Sequence, residues 1–156
     1  MRESRRGFVS FAEADRTLVE DLLARLTPHL RASRRLEHVL FECHELRAGE
    51  RWHARLLDEL RLCDYGLLCL SPAFLTSDYI LTHELPPFLG ASGKPFVPVG
   101  LKRLDFDLHD WHGLDAYQLM RLDGRFFAEL AGERRDAFAL ELFRHIEARV
   151  AAGVRP

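Results

Sequence analysis

The sequence predicts a doubly wound α/β domain of four or five parallel strands flanked by helices, and three observations carry that prediction. Four short apolar runs, Gly7–Phe11, Leu36–Phe41, Tyr65–Leu70 and Phe96–Leu101, are centred on Val9, Val39, Leu68 and Val97, spacings of 30, 29 and 29 residues. That interval is about the length of one strand–helix unit. The runs are continuously apolar rather than alternating, as expected of parallel strands covered on both faces. The segments between them carry apolar residues at helical period.

Taken in order, the first run is followed by Leu18, Leu22, Leu26 and Leu30, a helical stripe with Asp15 or Thr17 available to cap its start. Trp52, Leu56 and Leu60 repeat the pattern after Gly49 and predict the second helix. The third run ends at Ser71–Pro72, a capping hydroxyl followed by a residue preset for a first helical turn. The helix opened there is expected to kink or end at Pro86–Pro87, because a proline disfavours helical angles in the residue before it, Leu85. A closing helix from about Glu133 to Val150 carries Phe138, Leu142, Ile146 and Val150 on one stripe. The stretch from Lys102 to Gly132 is weakly patterned, with a short fifth strand expected near Ala116–Gln118.

Composition narrows the function classes. A chain of 156 residues suits one domain that buries about two-thirds of its unfolded surface. A net charge of −2 gives no clustered basic footprint for nucleic acid. Of the basic residues only Lys94 and Lys102 are lysines, the rest being arginine. Cys43, Cys63 and Cys69 lack metal-ligand spacing and read as thiols in a reducing compartment. MRESRRG leads into the first strand without an apolar signal region, and no run of 18 apolar residues follows, so the expected location is cytoplasmic with no membrane partner.

The chemistry is first defined by what is missing. No GxGxxG turn follows a strand and no GxxxxGK[ST] loop is present, so neither common phosphate cradle is available. The third strand ends in Leu70–Ser71, with Asp64 at its opposite end, which excludes a phosphorylatable aspartate at the binding rim. His109 and His112, beside Asp107 and Asp110, have no helix to align them and read as a surface loop; no metal site is expected. Glu84 is the conspicuous acid: it lies in a largely apolar segment just after a strand, and open parallel sheets bind ligands beyond their carboxyl ends. It is either a solvated helix residue or the centre of a site. Phe11, at the end of the first strand, and Trp52, at helical spacing, fit either a binding rim or the core.

Five segments in order resemble a TIR (Toll/interleukin-1 receptor) domain of the bacterial type, over about Gly7 to Val150: GFVSFAEAD (7–15), LRAGERW (46–52), LCDYGLLCLSPAFLTSDYILTHELPPFL (62–89), KPFVPVGL (94–101) and the Tyr117–Gln118 pair. LRAGERW is similar to the family's BB loop, and the segment around Glu84 to its αC element. The resemblance implies the flavodoxin-like TIR fold as a single domain over 1–156, isolated or part of a larger system. It also implies cleavage of NAD⁺ at the nicotinamide–ribose bond by a glycohydrolase or cyclase, with NAD⁺ as substrate rather than cofactor, in bacterial defence or cell death. The catalytic role then falls on Glu84, and Ser10, Phe11, Glu42, Cys43, Trp52, Ser71 and Tyr79 would line the substrate site. Arg47 and Gly49 would serve self-association or binding of other TIR domains through the BB loop and αC. The alternatives are a non-catalytic TIR–TIR interaction module and a nucleoside deoxyribosyltransferase-like enzyme of similar architecture. Two departures stand out. Glu42–Cys43 occupy a neighbourhood where the BB loop usually has aspartate. Tyr79 stands five residues before Glu84 where many members have an aromatic four before, as though one residue were added to the turn.

Overall fold

The computed structural model describes residues 2–42, 50–91 and 93–153, so the expectations placed on Cys43, Arg47 and Gly49 lie outside the described residues. Four strands form one all-parallel sheet: β1 (Glu3–Ser10), β2 (Leu36–Glu42), β3 (Tyr65–Leu70) and β4 (Phe96–Gly100), in the order β2-β1-β3-β4. They alternate with α1 (Arg16–Arg31), α2 (Glu50–Leu62), the one-turn α3 (Pro72–Leu75) and, after a long loop, α4 (Glu133–Gly153). The chain moves outward from β1 to β2 and then returns to β3 on the other side. The switch point therefore falls between the carboxyl ends of β1 and β3.

All six residues of β3 are buried, because its two faces belong to two cores. Tyr65, Leu67 and Cys69 point toward α1 and α4, where Leu22, Leu26, Phe138, Leu142 and Ile146 pack. Leu68 and Leu70 point toward α2 and the 72–88 segment, where Leu56, Leu60, Phe74, Ile80, Leu85 and Phe88 pack. This double covering is the cause of the continuous apolar runs in the sequence. Gly66 shares the second face, and a Cβ built on it would lie 2.6 Å from the Phe88 ring. Lys94 closes the end of α2 by donating through Nζ to the carbonyls of Leu60, Arg61 and Cys63 at 2.7–2.8 Å. These are among the carbonyls a helix end leaves without partners.

Four expectations are corrected. The fifth strand does not form: Leu114–Ala116 is a 3₁₀ turn, and only an isolated bridge between Val99 and Met120 extends the β4 edge. The helix expected from Ser71 to Pro86 is interrupted after Leu75, where Thr76 Oγ1 donates back to the Pro72 carbonyl at 2.9 Å. Such back-bonding competes with helix propagation. The chain resumes as a π-helical turn over Ile80–Glu84 and then a 3₁₀ turn over Pro86–Phe88. Leu85 keeps helical angles (φ −75°, ψ −44°) despite preceding proline, so Pro86 changes the kind of turn rather than ending it. Asp15 precedes α1 without a side-chain capping bond, because its carboxylate is used elsewhere.

Replacing Gly66 by alanine should force the buried Phe88 ring to move and destabilise the fold by roughly 1–3 kcal/mol. The check is the denaturant midpoint of Gly66→Ala against wild type, which should fall with no change in slope.

Candidate active site

The elements that meet at the switch point each bring a buried polar side chain to it. β1 ends in Ser10 and β3 is followed by Ser71, both fully buried; Glu84, at the end of the π-helical turn, is 3% exposed. The Ser10 hydroxyl donates to Glu84 Oε1 at 2.6 Å, joining residues 74 positions apart. Burial is the dominant influence on Glu84 and pushes its pKa from 4.5 up to about 7, while the Ser10 hydrogen bond pulls it back down. Glu84 is thus not the solvated helix residue that one reading of the sequence allowed.

A second buried carboxylate, Asp15, sits on the same rim in a different environment. Lys102, just beyond β4, places Nζ 2.7 Å from Asp15 Oδ1, and the Ser71 hydroxyl donates to Oδ2. Ser71 also accepts from the Phe74 amide at 3.0 Å, which caps α3. Its hydroxyl therefore serves the helix start and Asp15. The two acids differ in compensation: Asp15 has a cation and a hydroxyl, whereas Glu84 has a hydroxyl within reach and no ion-pair partner among the described residues.

An aromatic and imidazole cluster adjoins the Glu84 segment. Tyr79, the residue just before the π-helical turn, packs 5.2 Å from the Trp52 ring and 4.7 Å from the His83 ring, centroid to centroid. Its hydroxyl lies 2.7 Å from His53 Nδ1. Trp52 and His53 come from the first turns of α2, so the start of α2 is fastened to the turn that carries Glu84. The turn is closed by the Leu85 amide donating to the Ile80 carbonyl at 2.8 Å, a bond over five residues. That bond takes up one more residue than an α-helical turn, which accommodates the five-residue spacing of Tyr79 and Glu84.

Of the residues singled out in the sequence, Ser10 and Glu84 come together directly, and Trp52 and Tyr79 come together beside them. Phe11, 3% exposed, packs in the core on the α1–α4 face. Glu42 ends β2 opposite Val9 in the register and is half-buried. Sequence reasoning missed Asp15 and Lys102 as a pair, and it missed His53. It also took His112 for surface, whereas its Nε2 lies 2.9 Å from the Leu75 carbonyl. No signal in the sequence linked these, since each pair is more than 25 residues apart. Cys63 and Cys69 are free and buried, with burial raising both thiol pKa values. Among the described residues no group of three or more His, Cys, Asp or Glu is placed to hold a metal, and no helix is long and apolar enough to cross a membrane.

A raised carboxyl pKa in the fold is a stability cost that appears with rising pH. Below about pH 4.5 Glu84 is protonated folded and unfolded; between about 4.5 and 7 only the unfolded chain ionises; above 7 the cost is complete, at about 3 kcal/mol. Glu84→Gln should therefore gain stability relative to wild type as pH rises from 4.5 to 8, and show no gain at pH 4. Unfolding titrations at those pH values check this.

The family model described as TIR domain matches residues 8–141 of this chain. No curated protein matches it. The matched span takes in the end of β1, all of β2, β3 and β4, and the switch point with Glu84 and Asp15, and on that match the chain belongs to the TIR domain family.

Proposed function

We propose that the protein is an NAD⁺ nucleosidase that cleaves the nicotinamide–ribose bond with Glu84 as its catalytic carboxylate. The observation that carries the proposal is a carboxyl group buried at the sheet's switch point with its pKa raised to about 7, in a chain of the TIR family. The chemistry needs one acid of this kind. Nicotinamide departs from NAD⁺ as a neutral molecule, so no general acid is required, and the cost lies in the positive charge that develops on the ribose. A carboxylate with no ion-pair partner, in a water-poor setting, stabilises that charge more strongly than one already paired with a lysine. Ser10 holds the Glu84 carboxyl by its hydrogen bond, and Tyr79 with Trp52 offers aromatic surface for a planar ring. The setting in bacterial defence and the need for self-association through the BB loop and the αC surface belong to the same proposal.

One observation favours a second reading. Glu84 is 3% exposed and already hydrogen-bonded, as a structural core acid would be, which suits a TIR module that binds other TIR domains without turnover.

The two readings separate on NAD⁺ consumption by purified protein at high concentration, with products identified. Under the first, wild type releases nicotinamide and Glu84→Gln loses at least about a hundredfold in rate, the scale of removing a main charge-stabilising group. Under the second, neither consumes NAD⁺, yet both still associate. Ser10→Ala adds a finer test: loss of the bond that lowers the Glu84 pKa should move the rising limb of the pH–rate profile above 7.

A further inference from the structure

We propose that His112 is a positioning residue for Glu84, acting through the broken helix that precedes it; the proposal rests on Glu84 being the working acid. The interruption after α3 strands carbonyls that a continuous helix would satisfy. The segment itself serves most of them. Ser71 O accepts from the Leu75 amide at 3.0 Å, and Phe74 O from the Ser77 amide at 3.3 Å. Pro72 O and Ala73 O accept from Thr76 Oγ1 at 2.9 and 3.3 Å. Leu75 O is different. In an α-helix it would accept from the amide of Tyr79; here His112 Nε2 donates to it at 2.9 Å from 37 residues away.

The loop that delivers this donor is built to hold it. His112 adopts φ +50°, a left-handed conformation that non-glycine residues rarely take. Its amide donates to Asp110 Oδ1 at 2.9 Å, and Gly113 follows at φ +92°. Next to it, the buried Trp111 donates through Nε1 to the Asp105 carbonyl at 3.0 Å. Asp105 Oδ1 accepts from the amides of Asp107 and Leu108 at 2.8 and 2.7 Å, so the loop is fastened at both ends. A left-handed residue kept by a loop with these internal bonds, with its ring on one carbonyl, marks a constraint that the surrounding structure maintains.

That carbonyl sits where the register of the next turn is decided. With Leu75 O occupied by the imidazole, the chain restarts at Ser77, whose carbonyl accepts from the Leu81 amide at 3.0 Å and whose hydroxyl accepts from the Ile80 amide at 3.3 Å. The π-helical closure from Leu85 to Ile80 then follows and presents Glu84 to Ser10. Were Leu75 O to capture the Tyr79 amide instead, the turn would rewind as an α-helix and rotate Glu84 away from Ser10.

The test uses three variants. His112→Asn tolerates the left-handed backbone but is too short to reach Leu75; His112→Gly relieves the strain and removes the donor; His112→Gln carries an amide donor at comparable reach. Two readouts are followed: steady-state NAD⁺ kinetics, and hydrogen exchange of the Leu85 amide with amides of β1 and α4 as controls. The expected result for Asn and Gly is a fall in kcat of about tenfold or more with KM nearly unchanged. Leu85 protection should fall about tenfold while the control amides hold, and Gln should restore both. Wild-type Leu85 protection in His112→Asn and His112→Gly overturns the proposal, as does equal loss at Leu85 and at the control amides. Absence of NAD⁺ turnover in wild type would instead sink the reading of Glu84 as catalyst, and Leu85 exchange would still decide what His112 does.

Discussion

The hydrogen bond from Ser10 to Glu84 is the interaction on which the rest of the site depends. It joins the end of β1 to a turn 74 residues later, across the point where the chain reverses direction through the sheet. A carboxyl at 3% exposure is costly to ionise, and one hydroxyl offsets only part of that cost. The fold therefore keeps an acid that titrates near neutrality at a position as buried as its apolar core. Destabilisation of that kind is expected where function, rather than folding, selects the residue.

The rim gains its character from contrast. Asp15 and Glu84 are both almost completely buried, yet Lys102 and Ser71 neutralise and hold the first while the second is left with Ser10. Two acids in environments that differ this way are suited to different roles: Asp15 is paired and held in place, and under the proposed function Glu84 is the one that meets a developing positive charge. Lysine is rare in this chain, and both lysines stand at points of buried polarity: Lys94 on the end of α2 and Lys102 on Asp15. A compact ammonium with several donors suits a cluster of carbonyls or a single buried carboxylate better than a planar guanidinium.

Much of the architecture was legible because it follows from burial. Continuous apolarity at Tyr65–Leu70 reports a strand covered on both faces, and the regular spacing of the runs reports strand–helix units. The position of Glu84 beyond a strand end was equally readable. What was hidden depends on competition between hydrogen bonds. Thr76 back-bonding to Pro72, His112 on the Leu75 carbonyl and Pro86 all bear on the turn over residues 80–85, and of the three only Pro86 announces itself in sequence. Asp15 looked like a helix cap because it precedes α1; a lysine 87 residues away captured it instead. Ala116–Gln118 looked like a strand, but Leu114–Ala116 turns and leaves the β4 edge with a single bridge.

Burial at the switch point, with Ser10 as sole hydrogen-bond donor among the described residues, holds Glu84 as an acid that titrates at neutral pH. The most direct measurement is a ¹³C NMR titration of the Glu84 side-chain carboxyl, assigned by its loss in Glu84→Gln. A midpoint near 7, moving upward in Ser10→Ala, is the expected result. A midpoint near the ordinary glutamate value of 4.5, unmoved by Ser10→Ala, would contradict it.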